Sequence, residues 1–240
     1  MSYSNIENTG ERILPEKESP LMLARHLCAY EFASKYVSGK KVMDLGCGEG
    51  YGADYLAGYA TDVLAVDYEY SAIAAAGNKY KRDNLRFQRL DINEMASLKE
   101  NFDIICSFQV IEHILDASSY LNGVKNHLKP GGVFICSTPN RLDASGNSIT
   151  PLNKFHVREY LFNEFESMLK SEFKQTELYG LNRGKKLNLY RRAKKIGIFN
   201  ALPSSLDPVK KFYKNIGCRE FILVKNNLQR SLDFIAVCKP

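Results

Sequence analysis

Val42-Met43-Asp44-Leu45-Gly46-Cys47-Gly48-Glu49-Gly50-Tyr51-Gly52 places an apolar run, an acid and a Gly-x-Gly-x-Gly turn within eleven residues. An apolar run ending in such a turn reads as a buried strand leading into the N-terminus of a helix. Glycines there let the backbone approach a ligand closely, because no Cβ intervenes. Asp44, two residues before the first glycine, would repel a phosphate and hold an ammonium group. The dinucleotide fingerprint asks for glycines at positions one, three and six, and the sixth position here is Tyr51. The turn therefore points away from a dinucleotide.

Outward from this stretch, strands alternate with helix-length segments. Thr61–Asp67 is a second apolar strand ending in an acid, with Tyr68 next, and Asp67 follows Asp44 by 23 residues. That is close to the separation at which an acid at the end of a second strand binds a ribose diol. A helix N-cap is the alternative role for Asp67, which Ser71 could share. Leu85–Leu90 is a third strand, followed by Asp91-Ile92, a carboxylate and an apolar side chain suited to an adenine amine and ring; a plain strand-end turn fits equally. Phe102–Phe108 leads into Gln109-Val110-Ile111-Glu112-His113, and Val133–Thr138 follows the turn Lys129-Pro130-Gly131-Gly132. Such alternation predicts a parallel sheet covered by helices on both faces. Ligands of these sheets sit at the carboxyl ends of the strands, where Asp44, Asp67, Asp91 and Phe108–Glu112 all fall.

The constellation resembles the class I S-adenosylmethionine-dependent methyltransferases, from about residue 8 onward. The resemblance is carried by Asp44-Leu45-Gly46-Cys47-Gly48-Glu49-Gly50, Val66-Asp67, Asp91-Ile92, Ile111-Glu112-His113 and Leu128-Lys129-Pro130-Gly131-Gly132. It implies an α/β, Rossmann-like, seven-stranded sheet, mostly parallel with an antiparallel last strand, flanked by helices and topped by a helical lid. It also implies S-adenosyl-L-methionine as cofactor and S-adenosyl-L-homocysteine as product. Gly46, Gly48 and Gly50, with Cys47 and Tyr51, would shape the cofactor turn, and Asp44 would organise the methionine end. Asp67 and Tyr68 would flank the ribose, Asp91 and Ile92 the adenine, and Phe108 and Gln109 the methyl-sulfonium region. Within the superfamily the chain is similar to the branch holding the ubiquinone-biosynthesis O-methyltransferases and many small-molecule and sugar methyltransferases. Ser137-Thr138-Pro139-Asn140-Arg141, Phe155-His156-Val157-Arg158-Glu159-Tyr160 and the opening Thr9-Gly10-Glu11-Arg12 support that placement.

A chain of 240 residues suits one domain with an appended lid: a helical cap over 1–40, a cofactor-binding core over 41–180, a basic insert over 181–230 and a final strand over 231–240. No apolar run reaches the roughly 18 residues of a membrane span, and Met1-Ser2-Tyr3-Ser4-Asn5 lacks the features of a secretory signal. The expected location is cytoplasmic, or at the inner membrane surface. Six scattered cysteines without a Cys-x-x-Cys pair read as buried thiols.

Charge is unevenly spread. Residues 180–240 carry 14 Lys and Arg against 3 Asp and Glu, whereas residues 1–179 carry 19 against 24. The densest run, Arg183 to Lys195, interleaves with Leu187, Leu189, Tyr190 and Ile196, as in a basic amphipathic helix. Such a helix suits an anionic membrane surface, a phosphorylated or lipid-linked acceptor, or nucleic acid; a solvated face with no partner is as good a reading. The fold family pairs its last two strands antiparallel, so Phe173–Tyr179 and Ser231–Val237 bracket a long excursion, where an acceptor lid belongs. A helix over about Pro20 to Tyr36 would supply the other half of the lid, its Leu21, Leu23, Ala24, Leu27, Cys28, Phe32 and Ala33 forming a core-packing stripe.

With an activated methyl donor, positioning supplies much of the rate, and a hydroxyl acceptor gains from a general base. His113, just after the fourth strand, is the first candidate and His156, before a helix near Arg158, the second, with Glu112 beside them. A framework hydrogen bond is the alternative role for His113. His26 lies on the N-terminal helix and His127 at the opposite end of the sheet. Some ubiquinone-branch relatives bind a divalent cation around this motif, but Gln109, three before Glu112, removes a charged ligand. No metal is expected; Glu112, His113 and His156 are the partial set. The expected reaction is O-methylation of a small-molecule or glycan acceptor. The alternatives are nucleic-acid methylation and a non-catalytic cofactor-binding regulator. Ser107-Phe108-Gln109-Val110 lacks the Asn/Asp-Pro-Pro-aromatic signature of base-amine methyltransferases, and no proline precedes Cys106.

Overall fold

In the computed structural model the described residues are 15–197, 199, 203 and 206–240. Thr9-Gly10-Glu11-Arg12 lies outside them. In chain order the elements are α1 (Pro20–Val37), β1 (Lys41–Leu45), α2 (Tyr51–Ala57), β2 (Asp62–Asp67), α3 (Tyr70–Lys79), β3 (Leu85–Arg89) and β4 (Phe102–Phe108). They continue with α4 (Ala117–Asn126), β5 (Leu128–Pro139), α5 (Arg141–Ala144), α6 (Phe162–Glu172) and β6 (Gln175–Arg183). The last are α7 (Lys185–Ile196), α8 (Pro208–Lys214), β7 (Phe221–Val224) and β8 (Asp233–Lys239).

One mixed sheet runs β3-β2-β1-β4-β5-β8-β6-β7. The first five strands are parallel, and β8 inserts antiparallel between β5 and β6. The sheet has eight strands, not the seven expected. The eighth, β7, lies inside the long excursion and adds an antiparallel edge to β6. Its run Phe221-Ile222-Leu223-Val224 is short and sits among basic residues, which hid it within the insert. Residues 181–183 belong to β6, and the helix expected near Arg158 begins at Phe162.

The central strands are buried on both faces, so they read as continuous apolar runs rather than alternating ones. On one face Ile105, Leu64 and Phe234 pack with Leu121 and Val124 of α4 and Phe165 and Leu169 of α6. On the other, Val63, Ile104 and Ile235 pack with Phe32 and Ala33 of α1 and Ala53 and Leu56 of α2. Each fully buried Leu, Ile or Phe contributes about 1.5–3 kcal/mol, so the sheet is a stiff platform for whatever its strand ends carry.

Local chemistry fixes the elements bordering the site. α1 starts where the Ser19 side chain accepts from Met22 N, with Pro20 in the first turn, where its missing N–H costs nothing. Its far side meets the insert: Ala24 and Cys28 pack with Leu187 of α7 and Phe221 of β7, and Phe212 of α8 borders them. Beneath the strand ends, Tyr120 donates to Ser107 (2.7 Å), whose hydroxyl donates to Leu45 O (2.9 Å). That relay ties α4, β4 and β1 together.

Candidate functional site

At the carboxyl end of β1 the chain turns through Gly46, Gly48 and Gly50, with φ of +81°, +51° and +78°. Those angles lie in the left-handed region, which glycine enters without the steric cost of a Cβ. A Cβ on Gly46 would also lie 2.4 Å from Val110 Cγ2, whereas one on Gly48 would meet nothing within 4 Å. The turn is locked from beneath and open above. Asp67, ending β2, accepts from Gly48 N (2.8 Å) and from Glu69 N (3.0 Å), so it braces the glycine turn from the neighbouring strand.

A cavity of about 920 Å³ covers this turn. Gly46, Cys47, Gly48, Tyr51, Asp67, Tyr68, Asp91, Ile92, Phe108, Gln109 and His113 all border it. Asp44 and Gly50 stand behind that wall, as do Glu112 and His156. Asp91 uses Oδ1 to accept from Asn93 N and Nδ2 (2.9 and 3.0 Å), capping the turn after β3. Its neighbour Ile92 faces the same space. The ligand-sized room, the left-handed glycine cradle and acids at two successive strand ends fit the shape and charge of S-adenosylmethionine, with its sulfonium, ammonium, diol and adenine.

Asp44 is fully buried. Burial pushes its carboxyl from 3.8 up to about 7, the Tyr30 hydroxyl opposes that shift, and nearby Asp67 adds to it. Tyr30 O–H reaches Asp44 Oδ2 at 3.4 Å and its ring stands edge-on to Phe108, centroids 4.7 Å apart. Gly52 makes this possible: a Cβ there would lie 1.9 Å from Tyr30 Cζ. Tyr30 and His26, one turn apart on α1, both border the cavity. Neither was singled out from sequence. The available signal was a pair of polar-tipped residues at i and i+4 within an apolar helix.

Beyond β4, a short turn over Ile111–His113 is clipped to the loop before α6. Glu112 O accepts from Val157 N (2.8 Å) and Arg158 N (3.0 Å), while His113 Nδ1 lies 2.9 Å from Phe155 O. A carbonyl only accepts, so Nδ1 carries the proton and Nε2 the lone pair. His156 is held from both sides: Nδ1 donates to Glu159 Oε1 (2.7 Å) and Nε2 accepts from Asn153 Nδ2 (2.9 Å). Its ring stands edge-on to His113, centroids 5.0 Å apart. Glu112 is fully buried, accepts from Thr138 Oγ1 (3.1 Å) and leaves Oε1 without a partner among the described residues. Burial pushes its carboxyl up to about 8, against the opposing bonds from its local backbone and Thr138; Asp233 and Glu159 push the same way as burial.

One ligand atom from each of Glu112, His113 and His156 lies within 4.8 Å of the others. As held, this set does not suit a cation. Both His156 nitrogens are already bonded, Glu112 supplies a single carboxylate, and a hard cation wants several oxygens. No step is routed through a metal.

Comparisons with known proteins agree with this geometry. A family model described as "Methyltransferase domain" matches residues 21–194. A protein of Mycolicibacterium smegmatis named "Probable S-adenosylmethionine-dependent methyltransferase" is 37% identical over 164 residues, covering 68% of this chain and 63% of that one. The chain thus spans less than two thirds of that relative's length. A ubiquinone biosynthesis O-methyltransferase of Cereibacter sphaeroides is 31% identical over 105 residues, or 43% of this chain and 42% of its own. A Bradyrhizobium japonicum N-methyltransferase, solved with S-adenosyl-L-homocysteine, superposes with a TM-score of 0.60 at 15% identity, covering 92% of this chain and 88% of that one.

Proposed function

The chain belongs to the class I S-adenosylmethionine-dependent methyltransferases, and from that premise we propose that it methylates a hydroxyl of a small-molecule or glycan acceptor. One observation carries the cofactor half of the reading. A left-handed glycine turn and the acids Asp67 and Asp91 border a single cavity at successive strand ends. When bound, the cofactor supplies an already activated methyl group. The protein's part is then to hold donor and acceptor in line and to take the hydroxyl proton. His113 is the base of this reading, because it borders the cavity and its lone pair is assigned to Nε2 by the Phe155 carbonyl. Glu112 and His156 position it from behind. The ubiquinone O-methyltransferase relative supports oxygen as the accepting atom.

Asp67→Ala tests the cofactor assignment. Calorimetry with S-adenosylmethionine is expected to give micromolar-range affinity for the unchanged protein and at least about tenfold weaker binding for the variant, the loss of a charge-assisted hydrogen bond. Equal affinities would remove Asp67 from the ribose site.

A second feature supports an anionic or lipid-linked part on the acceptor. Lys185, Lys186, Arg191, Arg192, Lys194 and Lys195 of α7 are exposed, and none of them forms an ion pair with a described acid. Leu189 and Ile196, 65% and 72% exposed, lie seven residues apart along the same helix face. Tyr190 stacks on Phe212 of α8 at 4.0 Å, and Leu187 packs α7 against Ala24 and Cys28 of α1. No helix of the described residues is long and apolar enough to cross a membrane, so this face would meet a charged acceptor or a lipid surface from outside. Acceptor KM is then expected to rise with salt, because exposed charges are screened within about 10 Å at 0.1 M, while cofactor affinity stays level. A salt-independent KM would leave α7 as a solvated face.

A further inference from the structure

Two thiols outside the cavity meet where α1 touches the insert. Cys28 lies on α1, and Cys218 opens the turn over Cys218–Glu220 that leads into β7. By the helical period Cys28 points away from His26 and Tyr30, which border the cavity from the same helix. It packs instead with Ala24, Leu187 and Phe221, and Cys218 lies against that group.

The two side chains converge on one point. The Cys28 thiol donates to Ala24 O at 3.1 Å, and the Cys218 thiol donates to the same oxygen at 3.5 Å. Cys28 Sγ also lies 3.9 Å from Cys218 O. Either proton can instead turn to the other sulfur. That thiol–thiol bond is the largest of the causes that push the Cys28 thiol up, ahead of burial, with the Cys218 charge, Glu31 and Asp233 acting the same way. Thiols in contact close to the disulfide bond length of about 2.05 Å by a turn of their side chains.

Access differs between the two. Cys28 is buried, whereas Cys218 is the one cysteine of the chain that is not. Cys106, Cys136 and Cys238 are enclosed in the sheet core, and Cys47 is buried at the cavity wall. Cys218 is therefore the sulfur that an outside reagent meets first, with Cys28 directly behind it.

We propose that Cys28 and Cys218 are a dithiol site that exchanges with small disulfides of the glutathione class to form a reversible covalent link between α1 and the insert. The Cys218 thiolate attacks one sulfur of the small disulfide. A mixed disulfide forms, and one small thiolate leaves and takes up the proton that Cys218 released. Cys28 keeps its own proton through this step. The mixed disulfide abolishes the thiol–thiol bond that held that proton, so Cys28 then releases it and attacks the Cys218 sulfur. The internal bond forms and the second small thiol leaves. Two protein thiols are oxidised, one small disulfide is reduced to two thiols, and no other reactant enters. The link spans 190 residues of chain and pins α1, the wall of the cavity, to the turn before β7 from behind. It involves neither cofactor nor acceptor, so it stands whatever the chain methylates. In a compartment kept reducing, it forms only while disulfides accumulate.

The test incubates the full chain with glutathione disulfide and reads the products by intact mass and non-reducing peptide mapping. The expected product has lost two hydrogens, retains no glutathione and yields a linked Cys28–Cys218 peptide. Its Tm is expected to rise by roughly 10 °C, because a long loop is closed in the unfolded chain, and to return on treatment with dithiothreitol. Cys28→Ser keeps a donor for Ala24 O and is expected to stop at the mixed disulfide, with one glutathione on Cys218 and no such rise. Cys218→Ser, on the half-buried turn, is the variant less apt to disturb folding, and it is expected to leave Cys28 unmodified. The proposal is overturned if the parent stays reduced in a large excess of glutathione disulfide, if glutathione persists on its Cys218, or if the linked peptides join other cysteines. A linked protein whose Tm does not rise overturns it too, because the bond would then strain the contact between α1 and the insert.

Discussion

His113→Ala is expected to bind S-adenosylmethionine as the parent does and to turn over about 10²–10⁴-fold more slowly, the range that a positioned acid or base contributes. The expectation follows from geometry. His113 borders the cavity while its Nδ1 is committed to Phe155 O, so deleting the ring removes the Nε2 lone pair but leaves the glycine turn and Asp67 untouched. His156→Ala should act differently, because its ring is bonded to Glu159 and Asn153 and does not border the cavity. It should lower kcat by loosening the loop that orients His113, and His156→Gln, which can keep part of that bonding, should recover some of the loss. Steady-state kinetics with calorimetric cofactor binding separates these outcomes. Undiminished turnover in His113→Ala would return that residue to a framework role.

Stability should fall as the pH rises, and Glu112→Gln should remove much of the fall. Burial raises the Glu112 carboxyl from 4.5 to about 8, so the folded protein keeps the proton over a range in which the unfolded chain has released it. The contribution is fully present below about pH 4.5 and lost as pH climbs through about 8. Asp44 acts with the same sign from 3.8 to about 7. At about 1.4 kcal/mol per unit, the Glu112 part alone is on the order of several kcal/mol. Urea unfolding from about pH 5 to about pH 8.5 should show this decline in the parent. In Glu112→Gln, which keeps an acceptor for Thr138 but cannot ionise, the slope should flatten to the Asp44 part, opposed up to about pH 6.5 by His26, whose imidazole burial lowers from 6.5 to about 4. Parallel slopes would mean that Glu112 is already ionised in the fold.

The cofactor half of the site was legible because its constraints are local. Three glycines at alternate positions, an acid before them and acids at later strand ends each sit within a few residues of the strand they terminate, and short-range order carries them. The α1 wall of the cavity was not. Tyr30 reaches Asp44 only because Gly52 leaves room for its ring, a relation between two helices that no spacing displays. His26 lay outside the packing stripe read on α1 and carried no signal of its own until the fold set it at the border of the cavity. The motif Ser137–Arg141 was read as a family mark. Its Asn140 in fact ties the loop after β5 to the chain entering β8, donating to Gln229 O and Ser231 O at 2.9 and 2.7 Å. Glu112 and His156 were correctly brought near His113, yet burial of the carboxylate and the Glu159 contact turn them away from the cavity. β7 escaped notice because four apolar residues among basic ones give too little periodicity to outweigh their surroundings.

The position of β8 has a consequence for how the protein is made. β6 and β7 pair with each other, but only β8 joins them to β5. During synthesis β5 therefore waits as an open edge while about a hundred further residues are translated, the span from Pro139 to Asp233, at roughly 5–20 residues per second. Unpaired edges are templates for pairing between chains. The nascent protein is thus most prone to self-association in those seconds, and a ribosome stalled just short of Asp233 would release two half-sheets with nothing to join them.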